Sequence, residues 1–315
     1  VALITGAGGF LGRRLIDLGW RRGWEMRGTV RDRRAVPLVP DMTEIELAAP
    51  DADWRRALRG IDVVVHTAAR AHVFQEMAAD AAAAYRSVNV EATEKIARIA
   101  AEEGVRRFVF VSSIHVHASA SRERPLTEQS LQNPTTLYAK SKRDAEKALD
   151  TVARETGIEW VVVRPPLVYG PNVKANFLRL IEQVDKGVVA PFALVRNRRS
   201  LIYVDNLADL LLTAAIHPDA AGRSFVAADD TVLATQELWR EIASRLGRRY
   251  RMLPIPTPLL RVAARGVRKM DLYEKLCESL EVDASQIRRV LDWQPPITMR
   301  DALDATIDWY RSYRG

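Results

Sequence analysis

The 315-residue sequence contains a single cysteine, Cys277. One thiol cannot close an internal disulfide or supply a cysteine cluster for zinc, so a reducing cytoplasm is the expected setting. No uncharged apolar run reaches the roughly 20 residues that a bilayer-spanning helix needs, and no membrane span is expected. No stretch has the layout of a signal peptide. Val1 already lies inside an apolar run, so the natural N-terminus is expected to precede it. Internal repeats, low-complexity tracts and any alternation of aromatic with basic residues are also lacking. The net charge is +7, from 47 Lys and Arg against 40 Asp and Glu. The basic residues are interleaved with acids over most of the chain. Phosphorylated small molecules therefore account for the excess better than nucleic acid does, and no nucleic-acid partner is expected. What remains, 48% hydrophobic and 28% charged, is an ordinary globular composition. The length suits one large domain, or one domain with a smaller lobe.

Apolar strands and amphipathic helices alternate through the first half. Val1 to Thr5 reads as a buried strand, and Phe10 to Arg22 as a helix carrying Leu11, Leu15, Ile16 and Leu18 near helical spacing. Trp24 to Val30 is a second strand, and Asp53 to Leu58 a short helix capped by Asp51 or Asp53. Ile61 to His66 is a third strand, followed by a long helix from Ala81 to Glu103 that stops at Gly104. Phe108 to Val111, a helix from Thr136 to Thr156, and Trp160 to Val163 complete the series. Strands apolar on both faces, separated by helices, predict an α/β fold with a doubly wound parallel sheet. After Arg164 the prolines Pro165, Pro166, Pro171 and Pro191 loosen the pattern. Residues 1–165 are expected to form the first domain, with a return segment near 199–217. Residues 166–198 and 218–315 are expected to form a smaller C-terminal lobe that binds substrate.

The loop after the first strand, Gly6-Ala7-Gly8-Gly9-Phe10-Leu11-Gly12, has GxxGxxG spacing. Glycine serves where the backbone turns tightly and where a side chain would block a pyrophosphate. The N–H groups of the following helix start, at Phe10, Leu11 and Gly12, then face the anion. A glycine-rich structural turn is the plainer reading of the same residues. The end of the second strand distinguishes the two nicotinamide dinucleotides. NAD binders place an acid there, and here the position is Val30, followed by Arg31-Asp32-Arg33-Arg34. Arg31 can grip a 2′-phosphate, which favours NADP. Asp32 keeps NAD open, and a merely solvated basic turn is the alternative.

Tyr138 and Lys142 form YxxxK near the start of a helix, so they share one helix face. A lysine one turn away is expected to lower the phenol pKa and make Tyr138 a usable proton donor or acceptor. Ser112 and Ser113 end the fourth strand, at the carboxyl edge where parallel sheets meet ligands. There a serine can hydrogen-bond the reacting oxygen. Strand-end capping for the serines, and a packed aromatic for Tyr138, are the structural alternatives.

These motifs, with Asp62 to Ala69, Asn89-Val90 and Arg164 to Pro171, resemble the extended short-chain dehydrogenases/reductases, the NAD-dependent epimerase/dehydratase family with its Rossmann fold. The resemblance covers nearly the whole chain. It implies Ser113, Tyr138 and Lys142 as the catalytic trio. It places Ala68 and Ala69 on the adenine–ribose path, Pro166 and Val168 near the nicotinamide, and Ser112, Tyr138 and Lys142 among the cofactor contacts. Val173 to Leu178 and Arg199 to Asn206 are similar to bacterial UDP-N-acetylquinovosamine-forming 4-ketoreductases and UDP-hexosamine 4-epimerases. That likeness implies Asn176 and Arg199 as contacts to a UDP-sugar diphosphate. Two departures stand out. Leu167 replaces an asparagine common in such epimerases, and Ile114 to Ala118 replaces a common Tyr-Gly. The implied activity is NADPH-preferring reduction of a UDP-4-keto-6-deoxy-N-acetylhexosamine in polysaccharide precursor synthesis. The alternatives are an NAD-dependent UDP-hexose or N-acetylhexosamine 4-epimerase, a reductase of other ketones, and a dinucleotide sensor without activity. A homodimer built on the two long helices is implied as well.

Other features promise less. His115 and His117 share a face of an extended segment but lack a third ligand, so no metal is expected. Cys277 sits in an apolar helical run with Leu272, Leu276 and Leu280 and reads as core. The basic helix from Leu259 to Met270 reads as a solvated face, with a membrane surface as the alternative. Asp292-Trp293-Gln294-Pro295 reads as a structural turn.

Overall fold

A computed structural model describes residues 1–32, 41–49, 52–71, 78–121 and 123–314. In its first half lie β1 (Ala2–Thr5), α1 (Phe10–Arg21), β2 (Met26–Val30), β3 (Met42–Glu44), α2 (Trp54–Leu58) and β4 (Val63–His66). Next come α3 (Ala78–Tyr85), a π-helical stretch (Arg86–Glu91), α4 (Ala92–Glu102), β5 (Arg107–Val111), α5 (Leu137–Thr156) and β6 (Glu159–Arg164). β1 and β4 are buried along their whole length, as strands covered by helices on both faces must be. Local signals set the helix ends. The Asp53 carboxylate accepts the Arg56 N–H at 3.0 Å at the start of α2. The Thr136 hydroxyl accepts the Ala139 N–H at 3.1 Å at the start of α5, and Gly157, with φ +80°, ends that helix.

The second half contains β7 (Leu167–Tyr169), α6 (Ala175–Asp185), β8 (Arg199–Tyr203), α7 (Val204–Ile216), β9 (Arg223–Val226) and β10 (Val232–Leu233). It closes with α8 (Thr235–Leu246), α9 (Thr257–Gly266), α10 (Met270–Cys277), α11 (Ser285–Leu291) and α12 (Met299–Arg314). Strand order in the main sheet is β3-β2-β1-β4-β5-β6-β9, and every pairing is parallel. The order reverses between β1 and β4, which creates the crevice where doubly wound sheets bind ligands. The expected doubly wound sheet is thus the one that forms.

Two apolar cores sandwich this sheet. Leu15 and Ile16 of α1, Leu207 to Leu212 of α7 and Ile287 of α11 cover one face. Trp54 of α2, Ile96 and Ala100 of α4, and Ala145, Leu149 and Val152 of α5 cover the other. A third core, with Tyr169, Phe177, Leu201, Tyr203, Trp239 and Ile307, holds the smaller lobe around the three-stranded sheet β10-β8-β7. The stretch 218–315 is therefore divided between the two bodies: β9 and α11 belong to the main sheet, α8 and α12 to the lobe. The segment 199–217 is divided too, with β8 in the small sheet and α7 against the large one. The long helix expected over 81–103 starts at Ala78 and contains the π-helical stretch. Among the described residues no helix is long and apolar enough to cross a membrane.

Candidate active site

The glycine loop lies between β1 and α1. Gly6 takes φ +69°, where a side chain is strained. A Cβ on Gly12 would lie 2.3 Å from the Gly6 carbonyl oxygen, and one on Gly6 would lie 3.0 Å from the Ala68 Cα. Helix, loop and the β4 exit are thus pressed together through glycine. The Ala7 N–H donates to the Thr29 carbonyl (2.9 Å), which ties the loop to β2. Gly9 begins α1 and no side chain caps it, so the first-turn N–H groups, among them those of Phe10, Leu11 and Gly12, are left for an anion. The Phe10 and Leu11 side chains pack into the lobe core, so only their backbone serves this role. Arg31 is exposed immediately after β2. Arg33 and Arg34 lie outside the described residues.

Behind the loop runs a directed chain of hydrogen bonds that the sequence reading did not anticipate. The Ala68 N–H donates to the Thr5 hydroxyl (3.3 Å). Thr5 Oγ1 lies 2.7 Å from His66 Nδ1, and His66 Nε2 lies 3.0 Å from Thr93 Oγ1. Thr93 gives its one hydroxyl proton to the Asn89 carbonyl (2.8 Å), so it must accept from the Nε2–H of His66. Nδ1 then accepts from Thr5. A neutral ring follows, and burial, with the Lys142 charge adding, pushes the His66 pKa down to about 3. The Asn89 amide donates to Ser141 Oγ (2.9 Å), and Ser141 donates to the Tyr138 carbonyl (2.8 Å). Asn89 also accepts the Arg70 N–H (2.8 Å) and donates to its carbonyl (3.1 Å). Asn89 sits in the π-helical stretch, a feature that often marks functional positions. The available signal was a polar residue among apolar neighbours within Asn89-Val90.

This chain fixes the first turns of α5, and with them the expected proton-transfer pair. Tyr138 is half-buried, and Tyr85 meets its ring edge-on (centroids 6.4 Å apart). Lys142 is buried, with Nζ 4.2 Å from the centre of the Phe110 ring on β5. Burial pulls the Lys142 pKa down to about 7, against an upward pull from Glu146. That carboxylate is already held at both oxygens by Arg164 (3.0 and 2.7 Å). The expected lowering of the Tyr138 phenol is not what the geometry gives. Burial pushes it up to about 12, and Tyr85 adds to the rise. A cation that burial has drawn toward neutrality cannot offset the phenol's own desolvation.

Ser112 and Ser113 are buried where β5 ends. The Ser113 hydroxyl accepts the His115 N–H (3.3 Å) and so starts a short 3₁₀ turn, which is the capping role named as the structural alternative. Ser112 Oγ is buried with no hydrogen-bond partner among the described residues. A buried hydroxyl left unpaired is costly, and a polar ligand group would satisfy it. Pro166 is buried and Val168 half-buried next to this strand end, while Ala68 and Ala69 are half-buried at the exit of β4. The uncapped helix start, the glycine cradle and the orphan hydroxyl together fit a dinucleotide.

Arg199 on β8 is half-buried and has no acidic partner among the described residues. Burial lowers its pKa to about 10, and one guanidinium nitrogen donates to the Glu278 carbonyl (3.0 Å). Desolvation, and after it the charges of Arg199 and Lys275, hold the half-buried His115 below the usual histidine range, against a hydrogen bond with the Ala118 backbone. Asn176 stands exposed in the first turn of α6 and makes no hydrogen bond to Arg199. His117 accepts from Arg164 (3.1 Å) and donates to the Ser130 carbonyl (2.7 Å), so both ring nitrogens have structural partners. Cys277 is buried among Val195 and Tyr273, as expected of a core thiol.

The sequence pattern of the NAD dependent epimerase/dehydratase family matches residues 2–228. The chain is similar to a UDP-glucose 4-epimerase of Vibrio cholerae, 35% identical over 309 residues, covering 96% of this chain and 93% of the relative. It is 23% identical to an N-acetyl-α-D-glucosaminyl-diphospho-ditrans,octacis-undecaprenol 4-epimerase of Escherichia coli O157:H7, covering 98% and 94%. Its fold matches the crystal structure of a Thermotoga maritima UDP-glucose 4-epimerase with UDP-glucose (TM-score 0.80, 19% identity, 100% and 99% covered). It also matches a UDP-glucuronic acid 4-epimerase of Bacillus cereus with NAD (TM-score 0.81, 18% identity, 100% and 99% covered).

Proposed function

The chain belongs to the NAD-dependent epimerase/dehydratase family, and from that premise we propose that it is a UDP-hexose or UDP-N-acetylhexosamine 4-epimerase. The observation that carries this reading is the arrangement around β5. Lys142 rests on Phe110, two residues before Ser112, and the hydrogen-bonded chain holds Tyr138 at the start of the same helix.

In this reading Gly6, Gly9 and Gly12 with the start of α1 hold the pyrophosphate of the dinucleotide. Ala68 and Ala69 line its adenosine half. Ser112, Lys142, Pro166 and Val168 line its nicotinamide half. A nicotinamide held there would supply a reversible hydride acceptor for C4 of the sugar. Tyr138 accepts the proton of the C4 hydroxyl and returns it, and Ser113 orients that oxygen. The negative charge of a bound dinucleotide would raise the Lys142 pKa from about 7, and the ammonium so retained would then draw the Tyr138 phenol down from about 12. Arg199, with no carboxylate partner among the described residues, binds the diphosphate, and Asn176 assists it. A cytoplasmic homodimer built on α4 and α5, serving polysaccharide precursor synthesis, belongs to the same reading.

The test is interconversion of UDP-glucose and UDP-galactose, and of their N-acetylhexosamine counterparts, followed by proton NMR. Tyr138→Phe is expected to lose about 10²–10⁴ in turnover while keeping its cofactor. Retention of most activity would overturn the assignment.

Arg31 favours a second reading, an NADPH-preferring reductase of a UDP-4-keto-6-deoxy-N-acetylhexosamine. It is an exposed cation at the place where NAD binders keep an acid. Fluorescence titration with NADPH and NADH separates the two. NADPH preference that disappears in Arg31→Ala supports the reductase. NAD already present in the purified protein supports the epimerase.

A further inference from the structure

The positive charge of the chain is concentrated in one place. Residues 248–269 contain Arg248, Arg249, Arg251, Arg261, Arg265, Arg268 and Lys269 and no acid. This stretch therefore accounts for the whole net charge of +7 and leaves 40 basic against 40 acidic residues elsewhere. Of the seven, Arg248 alone has an acidic partner among the described residues, Asp185. α9 lies in this stretch and none of its residues is buried. It touches the body through Leu260 and Ala264, which pack against Val195, Tyr273 and Cys277. Its other side is apolar as well. Leu259 is 59% exposed and Val262 68%, and Val267 just beyond the helix is 64% exposed. Leu253 before α9 and Leu272 in α10 extend the patch. Leu259, Val262 and Ala263 share a helix face, and Arg261 and Arg265, one turn apart, lie together beyond Val262 on one side of it.

We propose that α9 and the start of α10 form a peripheral docking surface for a bilayer rich in anionic phospholipid. The exposed leucines and valines enter the headgroup–acyl boundary, while the arginines reach back to the phosphates. Each cation near such a surface strengthens binding about fivefold. Charge and apolarity together single out this occupant. A second copy meeting this patch through a two-fold axis would set seven cations against seven. A nucleic acid would use the cations and leave Leu259 and Val262 in water. The surface adjoins the site, because the carbonyl that holds Arg199 belongs to Glu278, the residue directly after α10.

The experiment is flotation of the full chain with vesicles of equal parts phosphatidylglycerol and phosphatidylcholine, against vesicles of phosphatidylcholine alone. The chain is expected to float with the anionic vesicles only and to be released as salt rises. Substituting Arg261, Arg265, Arg268 and Lys269 together by Gln is expected to weaken binding by about two to three orders of magnitude. Leu259→Ser with Val262→Ser is expected to lose vesicle binding while melting temperature and turnover stay at wild-type values. Absence of binding to anionic vesicles, or equal binding by both variants, overturns the proposal. So does a dimer that becomes a monomer in the serine variant while vesicle binding is unchanged. Flotation does not depend on catalysis, so either result leaves the sugar-nucleotide reading to be judged by its own assay.

Discussion

Replacing Lys142 with methionine should make the cofactor-free protein more stable and the enzyme inactive. Lys142 is 2% exposed, its ammonium lies over the Phe110 ring, and Arg164 already occupies the Glu146 carboxylate. A pKa drawn from 10.5 to about 7 corresponds to a ceiling of about 5 kcal/mol. Relaxation around the buried ammonium and loss of its contact with the ring leave a net gain of about 2–3 kcal/mol for the apolar side chain. The sign of the pH dependence follows. The folded pKa lies below the unfolded one, so between about pH 7 and 10.5 the unfolded chain binds more protons, and stability rises with pH over that window. The full cost is present below pH 7 and is relieved as pH rises. Urea unfolding of both proteins without cofactor, at pH 7 and again at pH 9.5, measures this directly. The variant should lead at pH 7, and the wild type should close most of the gap at pH 9.5. Other lysines and tyrosines titrate in both proteins and cancel in the comparison. A variant less stable at pH 7, or a gap that does not move with pH, would refute the reasoning.

Two further outcomes follow from the packing. Gly12→Ala places a methyl against the Gly6 carbonyl oxygen and the Ala7 Cα, backbone that cannot swing aside, so dinucleotide affinity by fluorescence titration should fall about tenfold or more. Unchanged affinity would mean that the loop does not cradle the cofactor. Arg164→Leu leaves Glu146 buried with Gln132 as its one remaining hydrogen-bond donor among the described residues and should cost about 3–5 kcal/mol in urea unfolding, most of it recovered when Glu146→Leu is added. No recovery in the double variant would show that the loss came from packing instead of charge.

The sequence was most legible where one short-range rule decides the outcome. The glycine spacing, the apolar strands, Asp53 as a cap and Gly104 as a stop need only their immediate neighbours. β9 was not legible, because Arg223-Ser224-Phe225-Val226 has neither clear alternation nor an apolar run. It is a strand because β6 offers it an edge more than fifty residues earlier in the chain. β3, three residues long, has the same difficulty beside β2. In the site, Tyr138, Lys142 and the serine pair could be found from spacing, but the direction of the Tyr138 pKa could not. That direction depends on how deeply the phenol is buried and on Tyr85, and neither is a property of a helix face. The roles of His66, Thr93 and Asn89 were hidden for a related reason. Each is an unremarkable polar residue until three separate elements bring them within reach of one another.

The directed chain from Ala68 to Tyr138 also bears on how the protein folds. It joins residues near positions 5, 66, 89 and 141, so no contiguous fragment of the chain can form it early. A nascent chain that has emerged only as far as β5 would possess the glycine loop and four central strands, yet the Asn89 amide would still lack Ser141. Order at the reacting end of α5 therefore cannot precede the docking of α5 on the nucleotide half, and it is lost whenever α5 opens. Partly folded forms of this protein would be able to grip a dinucleotide phosphate before they could position Tyr138.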